Sequence, residues 1–350
     1  MPPVPFFDGH NDALFRLSES RGADPHLLFL NGRADGHIDL PRAREGEMVG
    51  GLFALYAPSK SGLDLNIFKG KNYDCPLPPE VPLPDASRIM MRQIAILLRA
   101  IAASNGSVSL CRTVADIRDA RQRSSFAAVL HMEGAEAIDA DLDMLDVLHA
   151  VGLRSIGPVW SRNNVFGHGV PMRFPSSPDA GPGLTDAGKR LVRACNDLRI
   201  MIDLSHLTER GFWDVARLTN APLVATHSNV HDLSPSSRNL TRRQLDAIRD
   251  SDGIVGLNLA TCFLRSDGQM DEDTPIGVVV QHVEALIEHL GETRVAIGSD
   301  FDGAVVPKAI GSVAGAQAIF SALRAKGFDE PLIEKIAISN WLRVLRQTIG

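Results

Sequence analysis

Cysteine is scarce in this chain of 350 residues, and its few cysteines are far apart in the sequence. No two of them form a CxxC pair, which removes the usual spacing of a cysteine-based zinc or redox motif. This distribution favours free thiols in a reducing compartment over a disulfide framework, so we expect a cytoplasmic protein. The four residues are Cys75, Cys111, Cys195 and Cys262.

Long apolar runs and concentrated positive charge are also missing. No apolar run reaches the length that spans a membrane, and the opening MPPVPFFDGH lacks the basic and apolar regions of a signal peptide. No lipid-anchor tail follows the last predicted helix. The formal net charge is −6, without a basic cluster. We therefore expect neither a membrane nor a nucleic acid as a partner.

The sequence does contain a regular alternation of apolar, β-branched segments with amphipathic helical segments. Such alternation indicates parallel strands, and eight units fit a closed α/β barrel of the TIM type, (β/α)8, better than an open doubly wound sheet. No GxGxxG motif follows a predicted strand, so the dinucleotide-binding alternative lacks its motif. The predicted strands are 4–10, 49–57, 126–133, 152–160, 200–206, 222–228, 253–260 and 295–300. The predicted helices are 86–104, 184–198, 242–251, 276–290, 314–327 and 330–348.

Two predicted connections are too long to be simple turns. Residues 58–85 follow the second strand and are rich in proline, and residues 161–183 follow the fourth strand and are rich in glycine and proline. Both lie after strands, on the face where barrel enzymes have their active sites. We expect them to form walls of a substrate pocket within a single barrel domain over residues 1–350.

Polar side chains occur at the carboxyl ends of five of the predicted strands. In the first of these, FFDGHND, side chains alternate across the backbone, so His10 and Asp12 share a face if the segment is extended. Charged groups cannot be buried at a barrel mouth without pairing or metal coordination. Taken singly, each could be a hydrogen-bonded histidine or a helix cap. The residues are His10 and Asp12 in strand 1, Glu133 in strand 3, His206 in strand 5, His227 in strand 6 and Asp300 in strand 8.

This group has the composition of a divalent metal site. Three histidines and two carboxylates supply nitrogen and oxygen ligands of the kind that zinc binds. Five ligands exceed the three of a single catalytic zinc, which favours two ions bridged by a carboxylate. Two such ions would activate a bridging water and polarise a carbonyl, which is the chemistry of a hydrolase. Asp300 is then the free carboxylate that could carry a proton.

Several motifs occur in a fixed order, namely DGHND, MEG, IDLSH, THS, SSRN and GSDFDG. In this combination the chain resembles the membrane (renal) dipeptidase family, two-zinc metallopeptidases of the amidohydrolase superfamily, over almost its whole length. The resemblance implies that His10, Asp12 and Glu133 hold one zinc. It implies that Glu133, His206 and His227 hold the other, with Glu133 bridging. The implied reaction is hydrolysis of dipeptides by a bridging hydroxide, with tolerance for a D-residue at the C-terminal position.

The resemblance also implies roles outside the ligand set. Asp300 matches the family's proton-transferring aspartate, and Arg238 matches the arginine that holds the C-terminal carboxylate of the substrate. Trp160, in GPVWSRNN, stands where the mammalian family members have a histidine that holds the substrate carbonyl. An indole donates one hydrogen bond and cannot carry a proton, so stabilisation of the oxyanion would fall mainly to the metal. We count Trp160 and Arg238 as substrate-binding residues.

Other polar residues near these motifs have less specific explanations. His131 could be a further ligand from the third strand, although a hydrogen-bonded histidine inside the barrel is the simpler interpretation. Asp8 is expected to be structural, and Asp203 to orient a metal-bound histidine. Asp302 is the alternative to Asp300 as proton carrier. Surface or pocket-lining positions are expected for His168 and His231.

Three functions are compatible with these residues. A zinc-dependent dipeptidase is favoured, with a small dipeptide as its partner. The alternative is another barrel metallohydrolase that acts on a lactone, an N-acyl amino acid or a similar small amide or ester. The third is a binding protein that has lost activity, but such a protein should have lost a ligand and none is missing. The sequence leaves open whether the chain forms a homodimer.

Overall fold

Eleven strands lie in the residues that the computed structural model describes, which are 2–21, 24–60 and 64–350. Eight of them coincide with the eight predicted strands, and the other three are short segments that the sequence analysis missed. The strands are β1 (Phe6–Asn11), β2 (Met48–Tyr56), β3 (Tyr73–Asp74), β4 (Val108–Leu110), β5 (Phe126–Glu133), β6 (Leu153–Gly157), β7 (Arg173–Phe174), β8 (Met201–Ile202), β9 (Val224–Ser228), β10 (Ile254–Leu257) and β11 (Val295–Ile297).

The eight predicted strands form two parallel sheets that together enclose a barrel. One sheet has the order β1-β2-β5-β6-β8, and the other has the order β9-β10-β11. Two isolated parallel bridges join the sheets: Asp203 pairs with Val224, and Asn11 pairs with Phe301. The predicted TIM-type barrel is therefore confirmed.

Four of the barrel strands, β6, β8, β10 and β11, end three or four residues earlier than predicted. Trp160, His206 and Asp300 lie in the loops after β6, β8 and β11, not in the strands themselves. Beyond these strands the backbone is satisfied locally: the side chain of Asp203, for example, accepts a hydrogen bond from the backbone N–H of Ser205 at 3.1 Å. Such side-chain bonds replace the ladder of a continuing strand. The active-site face is therefore built from loops whose conformation is fixed by buried polar groups.

Helices form the outer layer around the barrel, and the predicted helices are all present. The last one contains a π-helical turn at Lys335–Ser339. No helix among the described residues has the length and apolar character needed to cross a membrane. The helices are α1 (Ala13–Glu19), α2 (Pro25–Asn31), α3 (Leu40–Glu45), α4 (Leu83–Ala103), α5 (Val114–Gln122), α6 (Asp143–Val151), α7 (Asp186–Leu198), α8 (Glu209–Leu218), α9 (Arg242–Asp250), α10 (Thr261–Leu264), α11 (Ile276–Leu290), α12 (Gln317–Lys326), α13 (Glu330–Glu334) and α14 (Asn340–Thr348).

A buried cluster joins the barrel strands to α14 and includes Phe7, Val129 and Trp341. The indole N–H of Trp341 donates to the carbonyl of Ile297 at 2.9 Å. A side chain at Gly9 would lie 2.1 Å from the Trp341 ring, so this position requires glycine. The barrel is packed with apolar groups at this level, which leaves the carboxyl ends of its strands for chemistry.

The two long connections are joined to each other by a small antiparallel ribbon. In this ribbon β3 pairs with β7, with Tyr73 opposite Phe174. A separate buried cluster contains both of these residues together with Phe68, Met172 and Phe263. Residues 61–63 of the first connection lie outside the described residues. All four cysteines of the chain are free, as predicted, and the structure also buries them.

Candidate metal centre

The five side chains predicted as metal ligands come together around Glu133, the last residue of β5. The Oε1 atom of Glu133 lies 2.9 Å from Nε2 of His206 and 3.5 Å from Nε2 of His227. The same atom lies 3.6 Å from Nε2 of His10, which is itself 3.5 Å from Oδ2 of Asp12. All five residues are buried. One carboxylate therefore stands at the centre of three imidazoles and a second carboxylate.

The strand that carries His10 and Asp12 is irregular where it reaches the site. The pairing of β1 with β2 shifts register between Asp8 and Asn11, as in a β-bulge. Bulges re-aim side chains and are common beside active sites. The simple alternation expected from the sequence is therefore interrupted in this segment. His10 and Asp12 nevertheless reach the same cluster.

The Nδ1 atoms of two of the histidines are held by hydroxyl groups. Nδ1 of His206 lies 2.9 Å from Oγ of Ser161, and Nδ1 of His227 lies 2.8 Å from Oγ1 of Thr226. The Thr226 hydroxyl donates to Oδ2 of Asp203 at 2.6 Å, so it accepts its second bond from Nδ1–H of His227. That tautomer leaves the Nε2 lone pair facing Glu133. Asp203 thus orients a histidine, as expected, but through Thr226.

Some polar atoms of this cluster have no hydrogen-bond partner among the described residues. These are Nδ1 and Nε2 of His10 and Oδ1 of Asp12, all of them buried. Leaving buried polar atoms unpaired is costly, and a bound cation would remove that cost. Imidazole nitrogen and carboxylate oxygen are ligands of zinc-class ions. The donor set therefore fits a metal site, and one group of ligand atoms within 4.8 Å of one another comprises His10, Glu133 and His227.

The electrostatics of the cluster also favour positive charge near its two carboxylates. Burial alone would lower the pKa of His10, but Glu133 and Asp12 outweigh it and raise that pKa to about 10. Burial, followed by repulsion from Asp12, raises the pKa of Glu133. Burial lowers the pKa values of His206 and His227, so these two face Glu133 as neutral imidazoles. A metal ion would take the place of the proton on His10.

Asp300 lies at the edge of the same cluster. Its carboxylate forms a group with His10 and Asp12 whose ligand atoms lie within 4.8 Å of one another. The Nδ2 atom of Asn258 donates to Oδ2 of Asp300 at 2.8 Å. Burial raises the pKa of Asp300. Its position beside the ligands is compatible with proton transfer.

Asp302 is engaged elsewhere, although it is only two residues away. Its Oδ2 atom accepts from Nη2 of Arg33 at 2.5 Å, and its Oδ1 atom accepts from the backbone N–H of His37 at 2.7 Å. Oδ2 also faces the backbone N–H of Ile38 at 3.3 Å. Because both oxygens hold the segment before α3, the geometry favours Asp300 over Asp302 as proton carrier.

The remaining candidates have structural partners. The Nδ1 atom of His131 lies 2.8 Å from Oγ of Ser155, and burial lowers the pKa of His131 to about 3. Its Nε2 atom lies 3.7 Å from Oδ2 of Asp203, so it faces into the network behind the metal cluster. Asp8 accepts from the backbone and hydroxyl of Ser299 at 2.7 and 2.9 Å. In the loops, His168 faces the carbonyl of Gly183 at 3.0 Å and His231 that of Ser176 at 2.7 Å.

Arg238 lies in a turn after β9, as predicted, and its guanidinium borders the metal cluster. One terminal nitrogen donates to the carbonyl of Ser205, and the other lies 3.3 Å from Nε2 of His206. The guanidinium carbon is 5.3 Å from the centre of the Phe263 ring. Its Nε atom is buried without a partner among the described residues. The structure therefore brings a buried cation with unused donor capacity to the site.

Trp160 forms part of the wall beside this cluster. Its ring centre lies 5.8 Å from that of His206 and 5.2 Å from that of Tyr56. The sequence analysis missed Tyr56 and Asn258, both of which border the site. The available signal for Tyr56 was its position at the carboxyl end of a predicted strand, but a single tyrosine there is also a common core residue.

The sequence profile of a family described as membrane dipeptidase (peptidase family M19) matches residues 1–349. Among individual proteins, the dipeptidase ataJ of Aspergillus terreus is 28% identical over 362 residues. That alignment covers 98% of this chain and 84% of the fungal protein.

Two solved structures are similar over nearly the entire chain. A metallo peptidase from Rhodobacter sphaeroides, liganded with a phosphinate mimic of the dipeptide L-Ala-D-Ala, is 50% identical with a TM-score of 0.97. The match covers 99% of this chain and 100% of that one. The dipeptidase AC, a metallo peptidase of family M19, is also 50% identical with a TM-score of 0.97, and the match covers both chains completely.

Proposed function

The chain belongs to the membrane dipeptidase family of metallopeptidases, and from that premise we propose that it hydrolyses dipeptides with two zinc ions at the barrel mouth. The observation that carries the proposal is the convergence of three histidine Nε2 atoms within 3.6 Å of one oxygen of Glu133. In this proposal His10, Asp12 and Glu133 hold one ion. Glu133, His206 and His227 hold the other, so that Glu133 bridges the two.

Two zinc ions at this site would lower the pKa of a bridging water to give a hydroxide and would polarise the peptide carbonyl. The remaining chemistry falls to side chains of the protein. Asp300 can accept the proton of the attacking water and return it to the leaving amine. Asn258 holds one oxygen of Asp300 at 2.8 Å, which leaves the other oxygen for the proton.

Arg238 supplies recognition at the other end of the substrate. A guanidinium presents a planar fork that can bind a carboxylate through two hydrogen bonds. Its place beside His206 supports binding of a carboxylate one residue beyond the scissile bond. Trp160 would flank the same substrate from the wall of the pocket. Free dipeptides then fit, whereas longer peptides and dipeptides with a blocked C-terminus do not.

Tolerance for a D-residue at the C-terminal position is also part of the proposal. It is supported by the Rhodobacter sphaeroides structure, whose ligand mimics L-Ala-D-Ala. The proposal therefore includes hydrolysis of L-Ala-D-Ala.

The test is a substrate panel with the zinc-loaded protein. L-Ala-D-Ala and L-Ala-L-Ala should be hydrolysed, and N-acetyl-D-alanine and a simple lactone should not. Asp300→Asn protein with the same zinc content serves as the control for contaminating peptidases. If the protein cleaved the N-acetyl compound or the lactone faster than both dipeptides, the dipeptidase proposal would be wrong. The alternative, a metallohydrolase for lactones or N-acyl amino acids, would then be favoured.

A further inference from the structure

Tyr56 occupies a position at the site that has no role in the chemistry described so far. It is the last residue of β2 and pairs in register with Glu133, the last residue of β5. Paired residues of neighbouring barrel strands project to the same face of the sheet, and side chains alternate between faces along each strand. The side chain of Tyr56 is therefore on the same face as the central carboxylate of the metal cluster, at the same height in the barrel.

The backbone of Tyr56 is held from behind by one buried side chain. Its N–H donates to Oε1 of Gln93 at 2.9 Å, and its carbonyl accepts from Nε2 of Gln93 at 2.7 Å. Gln93 lies in α4 and is fully buried. A strand that ends at the barrel mouth would otherwise leave these two groups unpaired. The amide thus fixes the point from which the tyrosine ring projects.

The ring of Tyr56 is fixed by aromatic neighbours on two sides. Phe15 packs edge-on at 5.4 Å between ring centres, and Trp160 packs at 5.2 Å. Edge-on and tilted contacts at these separations are the favoured geometries for aromatic pairs. We call Phe15, Tyr56 and Trp160 the aromatic wall. Because the wall restricts the ring, its hydroxyl has little freedom to move.

Charge is distributed unevenly around the aromatic wall. The guanidinium carbon of Arg162 lies 5.9 Å from the centre of the Tyr56 ring, and Arg162 is paired with Glu136 at 2.9 Å. Burial is the main cause that raises the pKa of Tyr56; Arg162 opposes it, and Glu133 and Asp12 add to it. The phenol consequently stays protonated near neutral pH and is a hydrogen-bond donor there.

The hydroxyl of Tyr56 has no hydrogen-bond partner in the part of the chain that the structure describes. The bonds between Tyr56 and Gln93 are made by the backbone of Tyr56 and leave its hydroxyl unused. The ring is only partly exposed, so an unused donor has limited access to water. A fixed, neutral donor beside a site where negative charge develops has the arrangement of an oxyanion hole.

We propose that Tyr56 is a further catalytic residue, whose hydroxyl donates a hydrogen bond to the carbonyl oxygen of the scissile peptide bond. When the attacking oxygen bonds to the carbonyl carbon, the π electron pair moves onto the carbonyl oxygen. Tyr56 donates to that oxygen and keeps its own proton. When the pair returns, the C–N bond breaks and the proton held by Asp300 passes to the leaving amine. This inference rests on the dipeptidase function proposed above.

The chain offers a matched pair of variants, because it contains only two tyrosines. Tyr56→Phe removes the hydroxyl and keeps the ring in the aromatic wall. Tyr73→Phe makes the same change in the apolar cluster of the long connections. We expect kcat for L-Ala-D-Ala to fall roughly 10²-fold in Tyr56→Phe, the lower end for loss of one oxyanion donor, with KM almost unchanged. Tyr73→Phe should keep the wild-type kcat, and both variants should keep the wild-type metal content.

Binding of a phosphinate mimic of L-Ala-D-Ala gives a second readout that does not depend on turnover. Its tetrahedral, negatively charged phosphinate resembles the transition state, so Tyr56→Phe should weaken its binding by about the factor lost in kcat. Isothermal titration calorimetry measures this directly. Wild-type kcat and wild-type phosphinate affinity in Tyr56→Phe would overturn the inference, and a rise in KM alone would reduce Tyr56 to a wall residue. A wild-type protein that cleaves no dipeptide would instead overturn the proposed function.

Discussion

His10 and His282 are both buried in this barrel, one at the strand ends and one in the helical layer, and their ring nitrogens have opposite surroundings. Both nitrogens of His10 lack a hydrogen-bond partner among the described residues. In His282, Nε2 faces the carbonyl of Leu264 at 2.9 Å and Nδ1 accepts from the N–H of Val230 at 3.2 Å. Burial lowers the pKa of His282 to about 4, whereas carboxylates raise that of His10 to about 10.

The two aspartates of GSDFDG show the same contrast. Both oxygens of Asp302 are used by Arg33 and by neighbouring backbone N–H groups. Asp300 has one protein donor, Asn258, and otherwise faces the metal cluster. Residue type and burial therefore do not identify the site. What distinguishes His10 and Asp12 is that their unpartnered polar atoms lie together in one cluster of metal-capable side chains, where a single bound cation could satisfy them.

The largest effect should follow removal of a ligand. His206→Ala removes an imidazole that lies 2.9 Å from the carboxylate of Glu133, so under the proposed mechanism one ion and nearly all dipeptidase activity should be lost. Loss of a partner that only touches a ligand costs ~10- to 100-fold, and we expect well over that range here. The fold should survive, because a barrel core does not depend on one residue at its mouth. Metal analysis, kcat and circular dichroism check the three statements.

His282→Gln is the comparison for that variant, since it replaces a histidine whose nitrogens are already bonded. It should keep the metal content and most of the activity. If His282→Gln lost metal and His206→Ala kept it, the contrast between the histidines around Glu133 and a histidine of the helical layer would have no functional meaning.

The next largest effect should separate the two aspartates. Asp300→Asn keeps the size of the side chain but cannot carry a proton, so kcat should fall by ~10²-fold or more. Metal content and the unfolding temperature should change little. Near-normal turnover in this variant would mean that Asp302 or solvent, and not Asp300, carries the proton.

Asp302→Asn should instead act on stability. It leaves the buried guanidinium of Arg33 without its charged partner, a change of the kind that costs about 3–5 kcal/mol. Asparagine retains one oxygen acceptor, so we expect the lower end of that range. Urea unfolding measures the loss, and the folded fraction should keep its kcat.

A smaller effect is expected at Arg238. Hydrogen bonds to a charged group are worth ~1.5–3 kcal/mol, so Arg238→Met should lower kcat/KM for a free dipeptide by roughly 10- to 100-fold. The wild type should prefer the free dipeptide to its C-terminal amide, and the variant should lose most of that preference. Equal cleavage of both compounds by the wild type would exclude a carboxylate clamp.

The smallest effect concerns pH and a fully bonded histidine. Because the folded pKa of His282 lies near 4, below the ordinary value of 6.5, the unfolded chain binds a proton first as the pH falls. The contribution of neutral His282 to the free energy of unfolding is complete above about pH 6.5 and is lost as the pH falls toward 4. Between pH 7 and pH 5 the wild type should therefore lose about 2 kcal/mol more unfolding free energy than His282→Gln. Urea unfolding measures both changes. An equal loss of unfolding free energy in the two proteins between pH 7 and pH 5 would contradict this prediction.

Sequence periodicity predicted the barrel because its long strands are short apolar segments that alternate along the chain with amphipathic helical segments. It could not predict the pairing of β3 with β7, since two-residue strands have no periodicity and Asp74 and Arg173 are 99 residues apart. The Arg33–Asp302 pair could not be predicted either, because its two residues are 269 positions apart and no sequence pattern relates them. The register that sets Tyr56 beside Glu133 depends on strand pairing, which composition does not reveal.

The convergence of the five proposed ligands was easier to predict than the residues around them. Parallel strands bring their carboxyl ends to one face, so polar residues at those ends are expected to meet. The predicted strand ends were wrong for Trp160, His206 and Asp300, because side-chain hydrogen bonds take over where the ladder stops. The roles of these residues in binding metal or substrate stay predictions.

The most direct test of the account is the zinc content of the purified protein, measured by elemental analysis together with the activity on L-Ala-D-Ala. The unpaired atoms of His10 and Asp12 and the central position of Glu133 predict two equivalents per chain. Activity should rise with the second equivalent and should fall when a chelator removes it. Full activity with one equivalent, or with none, would contradict the bridged pair.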